Sequence, residues 1–95
     1  MQNKNELLLE VAKKYGTPTY AYDLDTITSR FMYLKQALSH PLLDICYAMK
    51  ANYNPDVLRH LNGLGAHIDA VSPGDLIMAK ACGYAMSKII YTANN

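Results

Sequence analysis

Lys50 is the residue whose type and place most readily do chemistry. It follows directly on the apolar run Ile45-Cys46-Tyr47-Ala48-Met49, which has the length of a strand. In parallel α/β proteins, ligands gather at the carboxyl ends of strands. An amine desolvated at such a place shifts toward its neutral form, and a neutral amine is a nucleophile that condenses with aldehydes. On position alone, a surface lysine opening a loop is the simpler reading. The two cysteines, Cys46 and Cys82, form no CxxC pair and have no histidine at metal-ligand spacing. They read as reduced thiols in a cytoplasmic core, and no metal site is expected. His60 reads as a solvated helix residue. His67 opens a strand at the end remote from any such site.

The elements that would position Lys50 can be read along the chain. Residues 5 to 15 predict a helix, with Leu8, Val11, Ala12 and Tyr15 at helical spacing and Gly16 as its C-terminal cap. Thr17-Pro18 forces an extended turn, and Thr19-Tyr20-Ala21-Tyr22 predicts a short strand by its β-branched and aromatic content. Asp23 or Asp25 can cap a second helix reaching about Ser39, striped with Ile27, Phe31, Leu34 and Leu38 and ended by His40-Pro41. Leu43 to Met49 suits a strand buried on both faces.

Asn54-Pro55 then starts a helix with Val57, Leu58, Leu61 and Leu64 on one side, stopped in the Gly63 to Gly65 region. His67 to Val71 is the next strand. Ser72-Pro73-Gly74-Asp75 resembles a capping box opening a helix that ends near Gly83. Lys88 to Thr92 is a third core-type strand, and Ala93-Asn94-Asn95 begins a loop. Helix and strand alternate with short connections, which calls for a parallel α/β architecture. Three such strands do not close a barrel, and an open three-stranded sheet leaves raw edges, so the residues are expected to form part of a larger unit.

Composition narrows the classes. The 95 residues are 51% hydrophobic and 18% charged, with a formal net charge of +1, an ordinary globular balance. The charges are scattered, so neither a nucleic-acid stripe nor a basic membrane-facing helix is expected. No apolar run approaches the roughly 20 residues that span a bilayer. The polar start Met1-Gln2-Asn3-Lys4-Asn5-Glu6 does not read as a secretory signal.

A longer pattern alters the standing of Lys50. Tyr47-Ala48-Met49-Lys50-Ala51-Asn52, followed by Val57-Leu58, Leu61 and Gly65, resembles the pyridoxal-phosphate (PLP) attachment signature of the fold-type III decarboxylases of diaminopimelate, ornithine and arginine. Thr17-Pro18-Thr19-Tyr20-Ala21-Tyr22-Asp23 resembles the opening segment of the diaminopimelate enzymes. The stretch from Gly65 to Leu76 resembles their second barrel strand and the turn after it, and Lys88 to Asn94 resembles their third. There are departures. His67 stands where a small or aromatic residue is usual, and Pro73 and Asp75 replace a more usual Gly and Glu. Ala93-Asn94-Asn95 stands where Gly-Asn and a nearby Lys are common.

The resemblance implies a (β/α)8 barrel of the TIM type beside a β-sandwich. Residues 1–24 would supply a helix and strand to the sandwich, and residues 25–95 the first βα units of the PLP-binding barrel. It implies α-decarboxylation of an amino acid, with meso-diaminopimelate to L-lysine the best match. Lys50 would be the catalytic residue that holds the cofactor. Asp69 would stand near the imine, although a capping or core-satisfying role fits it too. Asn94 would be a loop polar residue near the cofactor. Tyr47 and Asn52 would pack and shape the loop.

The resemblance also implies a small amino-acid substrate, a cytoplasmic homodimer with groups from both chains at each site, and a phosphate cradle downstream of residue 95. The 95 residues alone are expected to be inactive. Ornithine or arginine decarboxylation is the alternative within the family. Alanine racemases also place a PLP lysine on the first barrel strand, but with different neighbours. A non-catalytic PLP-binding barrel is the alternative from another class.

Overall fold

Apolar residues at helical spacing, cut by Pro, Gly and short polar caps, divide the described residues into nine short elements. The computed structural model describes residues 3–92. Helix α1 spans Lys4–Tyr15 and α2 spans Leu24–Ala37. Strand β1, Cys46–Ala48, runs into a 3-10 turn at Met49–Ala51. Helix α3 (Pro55–Gly63), strand β2 (His67–Ala70) and helix α4 (Pro73–Ala81) follow. A second 3-10 turn at Met86–Lys88 leads into β3, Ile89–Tyr91. The three strands form one parallel sheet in the order β1-β2-β3, as the alternation of elements required.

Each helix starts where a short polar side chain satisfies its first N–H groups. Asn3 accepts from Glu6 N, Asp23 from Thr26 N, Asn54 from Asp56 N and Val57 N, and Ser72 from Asp75 N. The capping box at α4 takes an altered form. The Asp75 carboxylate accepts from Val71 N, one residue before the cap, at 2.9 Å. Asp75 is buried, so that bond also satisfies its charge. At the other end of α4, Gly83 adopts φ +94°, a left-handed conformation that a side chain disfavours.

The core lies between the sheet and the helices. Met49, Leu58, Ile68, Ala70, Ala79, Cys82 and Tyr84 form one cluster, and Phe31, Val57, Leu61 and Ala66 form a second. Helix α3 joins the two, with Leu58 in the first and Val57 and Leu61 in the second. Along β2 the buried residues Ile68 and Ala70 alternate with the half-buried His67 and Asp69, the period of two expected of a strand covered on one face.

Several expectations are corrected. Thr19–Tyr22 is not a strand: among the described residues it has no ladder partner, and Tyr20 is 89% exposed. Strand propensity without a neighbouring edge yields only extended chain. Strand β1 is shorter than Leu43–Met49, because Met49 leaves the ladder to accept from Asn52 N in the 3-10 turn. Lys88 closes the second 3-10 turn, and Thr92 lies one residue past β3. His60 is half-buried with its Nε2 2.7 Å from Thr28 Oγ1, so it pins α3 to α2 and is not simply solvated. None of α1 is buried. It is tied to the start of α2 by Lys4, whose Nζ lies 2.9 Å from Asp23 Oδ2 and 3.1 Å from Thr26 Oγ1. The Lys4 ammonium and the Thr26 backbone N–H hold the Asp23 carboxyl down at about 2.

Candidate functional site

The turn after β1 sets the position of Lys50. Met49 is fully buried and anchors the turn in the core, while Lys50, the next residue, is exposed. The Tyr47 hydroxyl donates to the Asn52 carbonyl at 3.2 Å, and Asn52 N donates to Met49 O at 3.1 Å. Asn52 Oδ1 accepts from Asn54 N at 2.9 Å, and Asn54 in turn caps α3. A continuous chain of hydrogen bonds thus runs from the strand, around Lys50, to the helix. Tyr47 and Asn52 shape the loop, as expected of them. Among the described residues, Lys50 Nζ makes no hydrogen bond or ion pair.

Asp69 is brought close by strand register. Its Cα pairs with Ala48, two residues before Lys50, and with Ile90 on the other side. Asp69 is half-buried and accepts a hydrogen bond from the Thr92 hydroxyl. Thr92 was not singled out by the sequence, because the bond depends on the β2–β3 register and not on local spacing. Asn94 lies outside the described residues.

On the face away from the core, Cys46 is the register partner of His67. Desolvation pushes the Cys46 thiol upward, and the carboxylates of Asp44 and Asp69 push it the same way. It therefore stays protonated at neutral pH and is a poor nucleophile. His67 Nε2 stands 3.5 Å from Asp44 Oδ1 at the amino end of β2, away from Lys50, where it was expected. Among the described residues, no group of three His, Cys, Asp or Glu side chains could hold a metal ion.

Two concave surfaces lie elsewhere. One runs between α1 and the start of α2, and the other lies beside β1 against α2 and α3. Neither is lined by Lys50 or Asp69. A primary amine without an ion pair just past a strand's carboxyl end, with a hydrogen-bonded carboxylate on the adjoining strand, fits a cofactor that carries an aldehyde. Among the described residues no helix is long and apolar enough to cross a membrane.

The chain is similar to known proteins in sequence and in fold. The family of the pyridoxal-dependent decarboxylases, through its pyridoxal binding domain, matches residues 24–95. A diaminopimelate decarboxylase of Aquifex aeolicus is 43% identical over 84 residues, which cover 88% of this chain and 20% of that protein. The crystal structure of diaminopimelate decarboxylase from Helicobacter pylori complexed with L-lysine superposes with a TM-score of 0.84 at 33% identity, covering 93% of this chain and 22% of that one. A lysine/ornithine decarboxylase from Vibrio vulnificus, complexed with putrescine, superposes with a TM-score of 0.86 at 27% identity, covering 98% and 26%.

The chain thus spans about a fifth of the length of the curated relatives it matches. Its sheet and helices α2, α3 and α4 are the opening part of the fold-type III barrel. With a family model that matches residues 24–95 and with these relatives, the chain belongs to the pyridoxal-dependent decarboxylases and carries part of their pyridoxal-binding domain.

Proposed function

We propose that the protein carrying this chain removes the α-carboxylate of an amino acid with PLP, converting meso-diaminopimelate to L-lysine, and that Lys50 holds the cofactor. The observation that carries this reading is the exposed Lys50 at the carboxyl end of β1, bracketed by the Tyr47–Asn52 bond, with Asp69 on the adjoining strand. The substrate choice is supported by identities of 43% and 40% to the diaminopimelate decarboxylases of Aquifex aeolicus and Methanothermobacter thermautotrophicus, against 32% to a lysine decarboxylase of Selenomonas ruminantium.

When bound, the cofactor supplies an electron sink for the pair left on the α carbon as the bond to the carboxylate breaks. Lys50 Nζ would hold it through its aldehyde carbon. The Lys50 amine would also lie within reach of the reacting carbon and could carry a proton to it. The Asp69 carboxylate favours positive charge on a nitrogen near it. Asn94 would add a polar contact from the loop after β3. Residues 1–24 would pack on a β-sandwich domain. This is supported by the exposure of Leu7, Leu8, Leu9 and Tyr20, and no residue of that segment is buried among the described residues. The protein would work as a cytoplasmic homodimer.

Release of CO2 by the PLP-loaded protein, offered meso-diaminopimelate, ornithine, arginine and lysine in turn, tests the reading. Release from meso-diaminopimelate above the other three, lost to background in Lys50→Ala, is the expected result. Preference for ornithine or arginine would overturn the substrate. PLP binding with no release from any of the four would point instead to a non-catalytic barrel.

A further inference from the structure

Asp69 and Thr92 meet because β2 and β3 run in parallel register. Ala70 pairs with Tyr91, so Thr92 lies one step beyond the ladder, and its N–H extends the ladder by donating to the Ala70 carbonyl at 2.9 Å. With its backbone fixed there, its hydroxyl donates to Asp69 Oδ1. Among the described residues this is the only hydrogen bond that the Asp69 side chain makes. A carboxylate held at one oxygen presents the other in a set direction, whereas a free one samples several rotamers.

We propose that Thr92 is a positioning residue: it fixes the Asp69 carboxylate so that Oδ2 stays turned to the reacting end of the cofactor held by Lys50. The proposal rests on the reading of Asp69 as the carboxylate beside that cofactor. Thr92 touches no reacting atom and acts only through Asp69. Its backbone contact belongs to any residue with an N–H. The hydroxyl is therefore the part that the role requires, and serine retains it while valine, of nearly the same shape, does not.

The test follows the visible absorbance of the PLP-loaded protein across pH, a property of the bound cofactor that is read without turnover. Wild type is compared with Asp69→Asn, Thr92→Val and Thr92→Ser. Loss of a fixed carboxylate weakens protonation of the nitrogen it serves, so Asp69→Asn moves the spectral midpoint to lower pH. Thr92→Val is expected to move it the same way, by about three- to tenfold in the protonation constant, the effect of one lost hydrogen bond. Thr92→Ser stays within about twofold of wild type, since it keeps that bond.

A wild-type midpoint in Thr92→Val beside a shifted Asp69→Asn overturns the role of Thr92 and leaves Asp69 in place. A wild-type midpoint in Asp69→Asn overturns the reading on which the proposal rests. Thr92→Ala takes the same test if the valine protein is not recovered folded, and an equal shift in the serine and alanine proteins also contradicts the proposal.

Discussion

The Tyr47 hydroxyl donates to the Asn52 backbone carbonyl at 3.2 Å and so spans the turn that carries Lys50. Burial pushes the phenol upward, which keeps its proton in place as a donor across the neutral range. Tyr47→Phe removes the bond and little else. It is expected to cost about 0.5–1.5 kcal/mol of stability, read by urea denaturation. PLP affinity, read by equilibrium titration, should fall by about two- to tenfold as the turn loosens. Unchanged affinity at lowered stability would show that the bond serves folding alone.

Leu58 is fully buried and faces Met49, Ile68 and Tyr84 from the helix that joins the two clusters. Leu58→Ala removes atoms from a site that the surrounding strands cannot close. A loss of about 2–5 kcal/mol is expected in chemical denaturation. A loss below about 1 kcal/mol would mean that the core is loosely packed around α3.

At the start of α4, Asp75 is buried and its carboxylate accepts from Val71 N. Asp75→Ala leaves that N–H without its partner, a cost of about 1–3 kcal/mol. Ser72→Ala, which removes only the cap, should cost about 1 kcal/mol. Amide exchange at Val71 separates the two, since it should quicken in Asp75→Ala and change little in Ser72→Ala.

Much of this arrangement was legible beforehand. Asn54-Pro55 and Ser72-Pro73 mark helix starts by local chemistry, and both caps form as read. The pattern around Lys50 pointed to a strand end, and β1 ends two residues before it. What escaped depends on distant partners. Thr19–Tyr22 has the residues of a strand, but a strand also needs an edge to pair with. The His60–Thr28 contact joins α3 to α2, and the Thr92–Asp69 bond crosses from β3 to β2. No spacing along the chain announces either. The capping box at Ser72 was read correctly as a motif, yet Asp75 bonds one residue earlier than the motif implies, because its burial places Val71 N within reach.

The Tyr84 hydroxyl donates to Leu58 O at 2.7 Å, and burial pushes the phenol up to about 12 from an ordinary 10.0. Below pH 10 the phenol keeps its proton in both the folded and unfolded chains. Between pH 10 and 12 only the unfolded chain gives it up, so the folded state loses stability as pH rises through that window. Thermal unfolding followed from pH 9 to 12 should show this extra decline in wild type and not in Tyr84→Phe. Parallel declines in the two proteins would place the phenol in water instead.

Every role proposed for this chain depends on Lys50 being the residue that binds PLP. Borohydride reduction of the PLP-loaded protein carrying this chain, followed by peptide mapping, tests it most directly. The expected result is a single pyridoxyl label on the peptide containing Lys50, absent from Lys50→Ala. A label on Lys80 or Lys88, or one that persists in Lys50→Ala, would contradict it.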